Sequence, residues 1–381
     1  MKKFSMDNNY GEYRQAVVNG DRTICTDRIR GCLLGGAMGD ALGAPLEFKW
    51  TEEIIDTYGG KIADRYLFPL IENTACFTDD TQMTLFTADA LNIAESMPRY
   101  RDRMLHVLHY IKECYLDWLV TQRTSFEDYT ARDPKAGTDF ISSMMYFPDL
   151  FHRRAPGNTC LDSLDEILRN DIDLDDYISD VRNDSKGCGG VMRVAPIALK
   201  YKPSSEFTIE DIDMLRAQAS AITHTHPLGY MSSSVLVHIL NRIIYPEKEM
   251  GLEEIILEAR DTVCSMFAGY RHVDELRDII DKAIRLSKNG KKDLTNLIDI
   301  GEGWVAEETL AIAVYCALRY EDDFSKAICV AASHDGDSDS TAEVAGNIVG
   351  AMIGYDAIPQ QWKDNLQLRG LLLNTADKLA K

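Results

Sequence analysis

The chain has 381 residues, and its 61 acids against 41 bases give a formal net charge of −20. Such a surplus repels phosphate backbones and anionic lipid, which excludes nucleic-acid binding and membrane adhesion as first readings. Apolar residues at 45% and charged residues at 27% describe a folded globular chain rather than a disordered or fibrous one.

Residues 1–26 read as a polar N-terminal extension, without the apolar stretch of a signal peptide. No apolar run long enough to span a bilayer follows. Nine cysteines are scattered singly, none in a C-x-x-C pair, and an odd number cannot all pair within one chain. That pattern predicts reduced thiols and a cytoplasmic setting rather than a disulfide framework or a zinc site.

From residue 27 the signal is helical. Apolar residues recur at three- and four-residue spacing over 80–97, 102–121, 209–222, 229–244, 251–269, 273–287, 305–320 and 341–354. No alternating run seeds a large sheet, and no repeat or low-complexity linker divides the chain. The expected architecture is one compact all-α domain over 27–381, with about ten or more helices. Its longest irregular stretch is expected over 122–160, and a loop of that length is usually functional.

Two glycine series stand out. Gly31, Gly35, Gly39 and Gly43 recur every four residues, as do Gly346, Gly350 and Gly354. On a helix each series forms a stripe, and each interior glycine costs about 1 kcal/mol relative to alanine. Close packing of the two helices on each other explains that cost. It would carry Asp40 and Glu47 towards the acids that precede the second stripe.

Those acids form one of two clusters of carboxylates and hydroxyls at helix starts. The first is Phe77-Thr78-Asp79-Asp80-Thr81; the second is Asp335-Gly336-Asp337-Ser338-Asp339-Ser340-Thr341. Oxygen-only donors suit hard divalent cations. The same residue types are also ordinary helix caps, stabilised by the helix dipole. An EF-hand is excluded, because its sixth position would be Ser340 rather than Gly and its twelfth Gly346 rather than Glu. If the two clusters meet, Glu47, Asp79, Asp80, Asp337 and Asp339 cannot all stay ionised in a partly buried place without cations.

A third run, Gly187-Cys188-Gly189-Gly190 with Arg193 beyond it, offers backbone N–H groups and a fixed charge to an anion. It is neither a Walker A loop nor a dinucleotide fingerprint, and an ordinary glycine turn explains it as well. His224 and His226 read either as substrate contacts or as hydrogen-bonded structural histidines.

Taken together, Arg30 to Gly43, Phe77 to Met83, Gly187 to Pro196 and Gly336 to Thr341 with Gly346-Asn347 resemble the ADP-ribosylglycohydrolase family, from about Asp27 to Trp362. The resemblance implies an all-α fold around two Mg²⁺ or Mn²⁺ ions. It maps metal ligands onto Thr78, Asp79, Asp80, Asp337, Asp339 and Ser340, and a water-assisting or gating glutamate onto Glu47. It places Asn158, the Gly187–Gly190 run including Cys188 and Gly189, Arg193, His224 and His226 along the ADP-ribose cleft, with Arg193 meeting the pyrophosphate.

The implied reaction removes ADP-ribose from modified protein side chains, most often arginine, with Glu47, Asp79 or Asp80 as the base. One branch of the family carries an aspartate two residues before a Gly-Asn-Thr run. Here that position is Ala155, so the base stays open among the three. Asp335 stands where the family commonly has glycine, which adds a carboxylate beside the metals. Two other readings remain: an immunity-type protein that neutralises an ADP-ribosyltransferase toxin through residues 1–26, and a phosphohydrolase acting on a nucleotide.

Overall fold

The computed structural model describes residues 22–99, 101–131 and 140–381. Among them are seventeen α-helices and no strand, only isolated bridges such as Gly187 with Val305. In chain order these are α1 (Arg22–Gly43), α2 (Thr51–Thr57), α3 (Asp79–Ser96), α4 (Arg103–Thr121), α5 (Phe126–Thr130) and α6 (Asn158–Asn170). Then come α7 (Ala195–Lys200), α8 (Ile209–Ala221), α9 (Pro227–Ile244), α10 (Leu252–Met266), α11 (Val273–Ser287) and α12 (Asp293–Ile300). The last are α13 (Ala306–Arg319), α14 (Phe324–Ala331), α15 (Ser338–Ile353), α16 (Gln360–Lys363) and α17 (Arg369–Leu379).

Periodicity locates eight of these to within a few residues, and local chemistry sets their ends. Thr78 caps α3 by accepting from Asp80 N, Asp102 caps α4, and a Thr208–Asp211 capping box starts α8. The region 122–160 is less irregular than expected: it holds α5, two short 3₁₀ turns at Ser143–Tyr146 and Pro148–Leu150, and the start of α6. Residues 22–26, grouped by sequence with the extension, are the first turns of α1; residues 1–21 lie outside the described residues.

Helix α9 is buried on every side, and only Arg242 in it escapes burial, which places it at the centre of the core. Helix α15 is buried from Ser338 to Met352 even though it begins with an acidic cluster. Outer helices such as α11 bury a single stripe, Leu276, Ile280, Ala283, Ile284 and Leu286.

Helices α1 and α15 run antiparallel with their glycine stripes face to face. Gly35 lies on the carbonyl of Gly346, Gly31 on that of Gly350, Gly39 on that of Ala342, and Gly43 on that of Ser338. A methyl group at any of these four positions would overlap backbone of the opposite helix. The glycines are there because the two backbones touch. All nine cysteines are free thiols, and no described helix is long and apolar enough to cross a membrane.

Candidate active site

The close α1–α15 contact brings Asp40, near the end of α1, beside the start of α3. Both carboxylate oxygens of Asp40 accept from Thr78 N, at 2.9 and 3.0 Å. One of them also accepts from Thr81 N at 3.0 Å and Thr81 Oγ1 at 2.6 Å. Asp40 therefore clamps the turn that carries Asp79 and Asp80. From the other side, Arg154 O accepts from Asp79 N. The backbone of the first cluster is thus held from two sides.

The second cluster sits at the N-terminus of α15, where Asp337 caps the helix by accepting from Ser340 N at 3.2 Å. The two clusters interlock although 260 residues separate Asp80 from Ser340: Ser340 Oγ donates to Asp80 Oδ2 at 2.7 Å. The Thr78 hydroxyl and the Asp337 carboxyl lie beside the Asp339 side chain. Glu343, one turn after Asp339, completes the group through Asp80 and through Thr84, whose hydroxyl donates to Oε1 at 3.3 Å. Sequence reasoning missed Glu343. Its signal was present, since residues i and i+4 of a helix share a face.

These acids cap helices and also crowd together. Burial, and then the neighbouring carboxylates, push Asp79, Asp80, Asp337 and Glu343 well above the ordinary carboxylate range. Burial followed by Asp339, Asp337 and Asp79 pushes half-buried Glu47 up to about 10. Burial and Asp339 move Asp40 up to about 7. No described lysine, arginine or histidine forms an ion pair with any of these acids. Their negative charge has to be offset either by protons or by cations.

The donor set, all carboxylate and hydroxyl oxygen, fits hard divalent ions. As placed, no three His, Cys, Asp or Glu side chains of the described residues converge on one point as a cage. Charge and donor chemistry are what favour cations here.

That crowding has a pH signature. A carboxyl whose pKa is higher folded than unfolded stabilises the fold fully below its unfolded value. The contribution is lost as pH rises through the folded value. For Asp40 that window runs from the ordinary 3.8 to about 7, and for Glu47 from 4.5 to about 10. In chelator, the melting temperature is expected to fall as pH rises through these windows, and millimolar Mg²⁺ or Mn²⁺ to flatten the decline. Differential scanning fluorimetry across the pH range checks this; a profile unaffected by divalent ions would count against the site.

A family model described as ADP-ribosylglycohydrolase matches residues 21–381. The chain belongs to the ADP-ribosylglycohydrolase family, and it is a glycohydrolase. It is 27% identical over 356 residues to the ADP-ribosylarginine hydrolase Tri1 of Serratia proteamaculans, covering 93% of this chain and 79% of that protein. It is 23% identical over 368 residues to the ADP-ribosylhydrolase ARH3 of Bos taurus, covering 89% and 88%. A solved structure titled ADP-ribosylglycohydrolase-related protein complex superposes with a TM-score of 0.57 at 20% identity, covering 93% of this chain and 98% of that one. That likeness concerns the fold.

Within this ADP-ribosylglycohydrolase, the glycine run reaches the acids through Cys188. Its thiol lies beside Asp337 and Ser340, and its N–H donates to Trp304 O at 3.2 Å. Gly189 and Gly190 are buried, and a Cβ at Gly189 would strike the His224 ring and Cys160. His224 is buried, bonds Thr223 Oγ1 through Nδ1 at 2.8 Å, and is driven by burial and Arg193 down to about 3. It is a neutral buttress behind the glycines. His226 caps α9, accepting from Leu228 N at 3.1 Å.

Arg193 corrects the sequence expectation most clearly. It is 0% exposed, donates to Thr223 Oγ1 at 2.6 Å and lies over the Tyr115 ring at 4.5 Å. A guanidinium enclosed by its own fold does not reach a pyrophosphate. Asn158 is exposed in the first turn of α6. Asp335 is also redirected: its Oδ1 accepts from Thr51 N and Oγ1 at 2.5 and 2.6 Å, tying the start of α2 to the second cluster rather than adding a free carboxylate.

Proposed function

We propose that the chain reverses protein ADP-ribosylation by hydrolysing the N-glycosidic bond between ribose C1″ and an arginine guanidinium. The observation that carries this reading is the interlocked acid cluster of α1, α3 and α15, which has no basic partner among the described residues. Two Mg²⁺ or Mn²⁺ ions are its cofactors in this reading, held by Thr78, Asp79, Asp80, Asp337, Asp339 and Ser340. When bound, such ions offset the crowded charge and acidify water. The printed name of the Serratia relative, an ADP-ribosylarginine hydrolase, supports the arginine linkage.

The chain's own groups then divide the work. Water oxygen adds to C1″ as the C1″–N bond breaks and positive charge builds on the ribose, which surrounding carboxylates stabilise. One carboxylate takes the water proton, and the C1″–N electron pair leaves with nitrogen as a neutral guanidine, which then takes a proton from solvent, so that none is consumed overall. Glu47 suits that role best among the three candidates. It is half-buried and faces Asp339, Asp337 and Asp79, whereas Asp79 and Asp80 are buried and engaged with neighbours. With cations offsetting its neighbours, Glu47 ionises and can pass its proton to solvent.

Mass spectrometry of an arginine-ADP-ribosylated protein incubated with the chain and Mg²⁺ or Mn²⁺ tests this. The expected result is loss of the whole ADP-ribose unit. Loss of AMP alone would replace the reading with phosphohydrolase chemistry, and an unchanged mass would overturn it. The immunity-type alternative rests on residues 1–26, of which 1–21 lie outside the described residues, and no observation of the fold favours it.

A further inference from the structure

Next to the acid cluster the surface carries large apolar rings that the fold does not use. Phe48 directly follows Glu47 and is 70% exposed, and Trp50 is 63% exposed. Phe48 has φ 66°, a left-handed backbone that a bulky side chain rarely adopts. An exposed apolar ring held in a disfavoured backbone conformation gains nothing for the core, and such outliers gather at ligand-binding positions.

One face of the Phe48 ring stacks on Trp304, with centroids 5.2 Å apart and planes 24° apart. The exposure of Phe48 therefore belongs to its other face. The pair is tied at both ends to the acid cluster. Glu47 faces Asp339 and Asp337, and Trp304 O accepts from N–H of Cys188, whose thiol lies beside Asp337.

A carboxylate is fixed beside the rings. Trp304 Nε1 donates to Glu302 Oε2 at 3.1 Å, and Glu302 O accepts from Asp337 N at 2.9 Å. Gly336, at φ 114°, lets that loop close, since a Cβ there would strike the Glu302 backbone. The rim segment adds Glu47, Glu52 and Glu53 against the single Lys49.

We infer that the open face of Phe48, backed by Trp304 and flanked by Glu302, seats the guanidinium of the ADP-ribosylated arginine. A flat cation matches both features: its face stacks on an aromatic ring while its N–H groups donate to a carboxylate. An adenine ring would stack equally well and could donate through N6, but it carries no positive charge for the acids to attract. A serine acceptor offers neither plane nor charge. This inference deepens the arginine-hydrolase reading and rests on it.

The test compares wild type with Phe48→Ala, Phe48→Tyr and Glu302→Gln, using ADP-ribosyl-agmatine for turnover and calorimetry with ADP-ribose for binding. Phe48 is exposed, so its variants should melt as the wild type does. Phe48→Ala is expected to raise KM for ADP-ribosyl-agmatine about 3- to 10-fold, the size of a partly desolvated cation–π contact. Its kcat and its affinity for ADP-ribose should stay within about twofold, and Phe48→Tyr should restore KM because it keeps the ring face. Glu302→Gln should raise KM in the same direction.

An active wild type with unchanged KM in Phe48→Ala would overturn the inference alone. Parallel loss of ADP-ribose affinity would also overturn it, because the rings would then seat the nucleotide. A wild type that releases no ADP-ribose would overturn the hydrolase reading itself, before any variant is measured.

Discussion

Asp337→Asn is expected to cut ADP-ribose release by on the order of 10²–10³-fold while leaving the fold intact. Asparagine caps a helix about as well as aspartate, so the bond from Ser340 N survives. What disappears is one negative charge from a group that burial and neighbours already push towards protonation. In chelator above neutral pH the variant should therefore melt at or above the wild-type temperature, because it relieves like-charge crowding. Asp80→Asn should behave alike, since its amide oxygen still accepts from Ser340 Oγ. Turnover assays with scanning fluorimetry separate the two effects. Activity at the wild-type level in both variants would dismiss the acid cluster as the reaction centre, and collapse of the fold would make its role structural.

Gly35→Val and Gly346→Val are the substitutions expected to harm stability most. Each side chain would be driven into the carbonyl of the opposing glycine, with backbone rather than a movable side chain in the way. Overpacking of a core typically costs about 1–3 kcal/mol, and backbone contact puts these at or above the top of that range. Against a total stability of about 5–15 kcal/mol, the variants should be partly unfolded or poorly soluble. Gly370→Ala is the control. Nothing lies within 4 Å of a Cβ there, so alanine in α17 should be neutral or stabilising by about 0.5–1 kcal/mol. Denaturant midpoints measured side by side decide the comparison. Equal midpoints would mean that α1 and α15 can separate at little cost.

The glycine stripes were legible because a penalty repeated every four residues has to be repaid by a close neighbour, and the neighbour proved to be the other stripe. The eight periodic helices were legible for a similar reason, since one buried face leaves a local rhythm of three and four. Shorter helices such as α14 and α16 were not, because eight residues or fewer carry too few turns to show a period. Helix α6 did carry the rhythm, in Leu161, Leu164 and Ile167, but Pro156, Gly157 and the acids around it read as loop.

At the site, the sequence named most of the acids but could not say how they meet. Thr78 lying beside Asp339, Ser340 bonding Asp80, and Glu343 joining them depend on α1 and α15 closing over the start of α3. Arg193 shows the same limit from the other direction. A guanidinium in a glycine-rich run reads as an anion ligand, and only the packing of Tyr115, Thr223 and Ala219 around it shows that it is enclosed by the fold.

The sequence by itself determined the all-α class, the reduced cysteines, the two acid clusters and the glycine contact, because each is written in residue type and local spacing. The tertiary structure alone decided which carboxylates share one low-dielectric volume, which histidines are props, and which rings stay bare beside Glu47. Those properties depend on distance and on exclusion of water, and residues 260 positions apart acquire both only when the chain is folded.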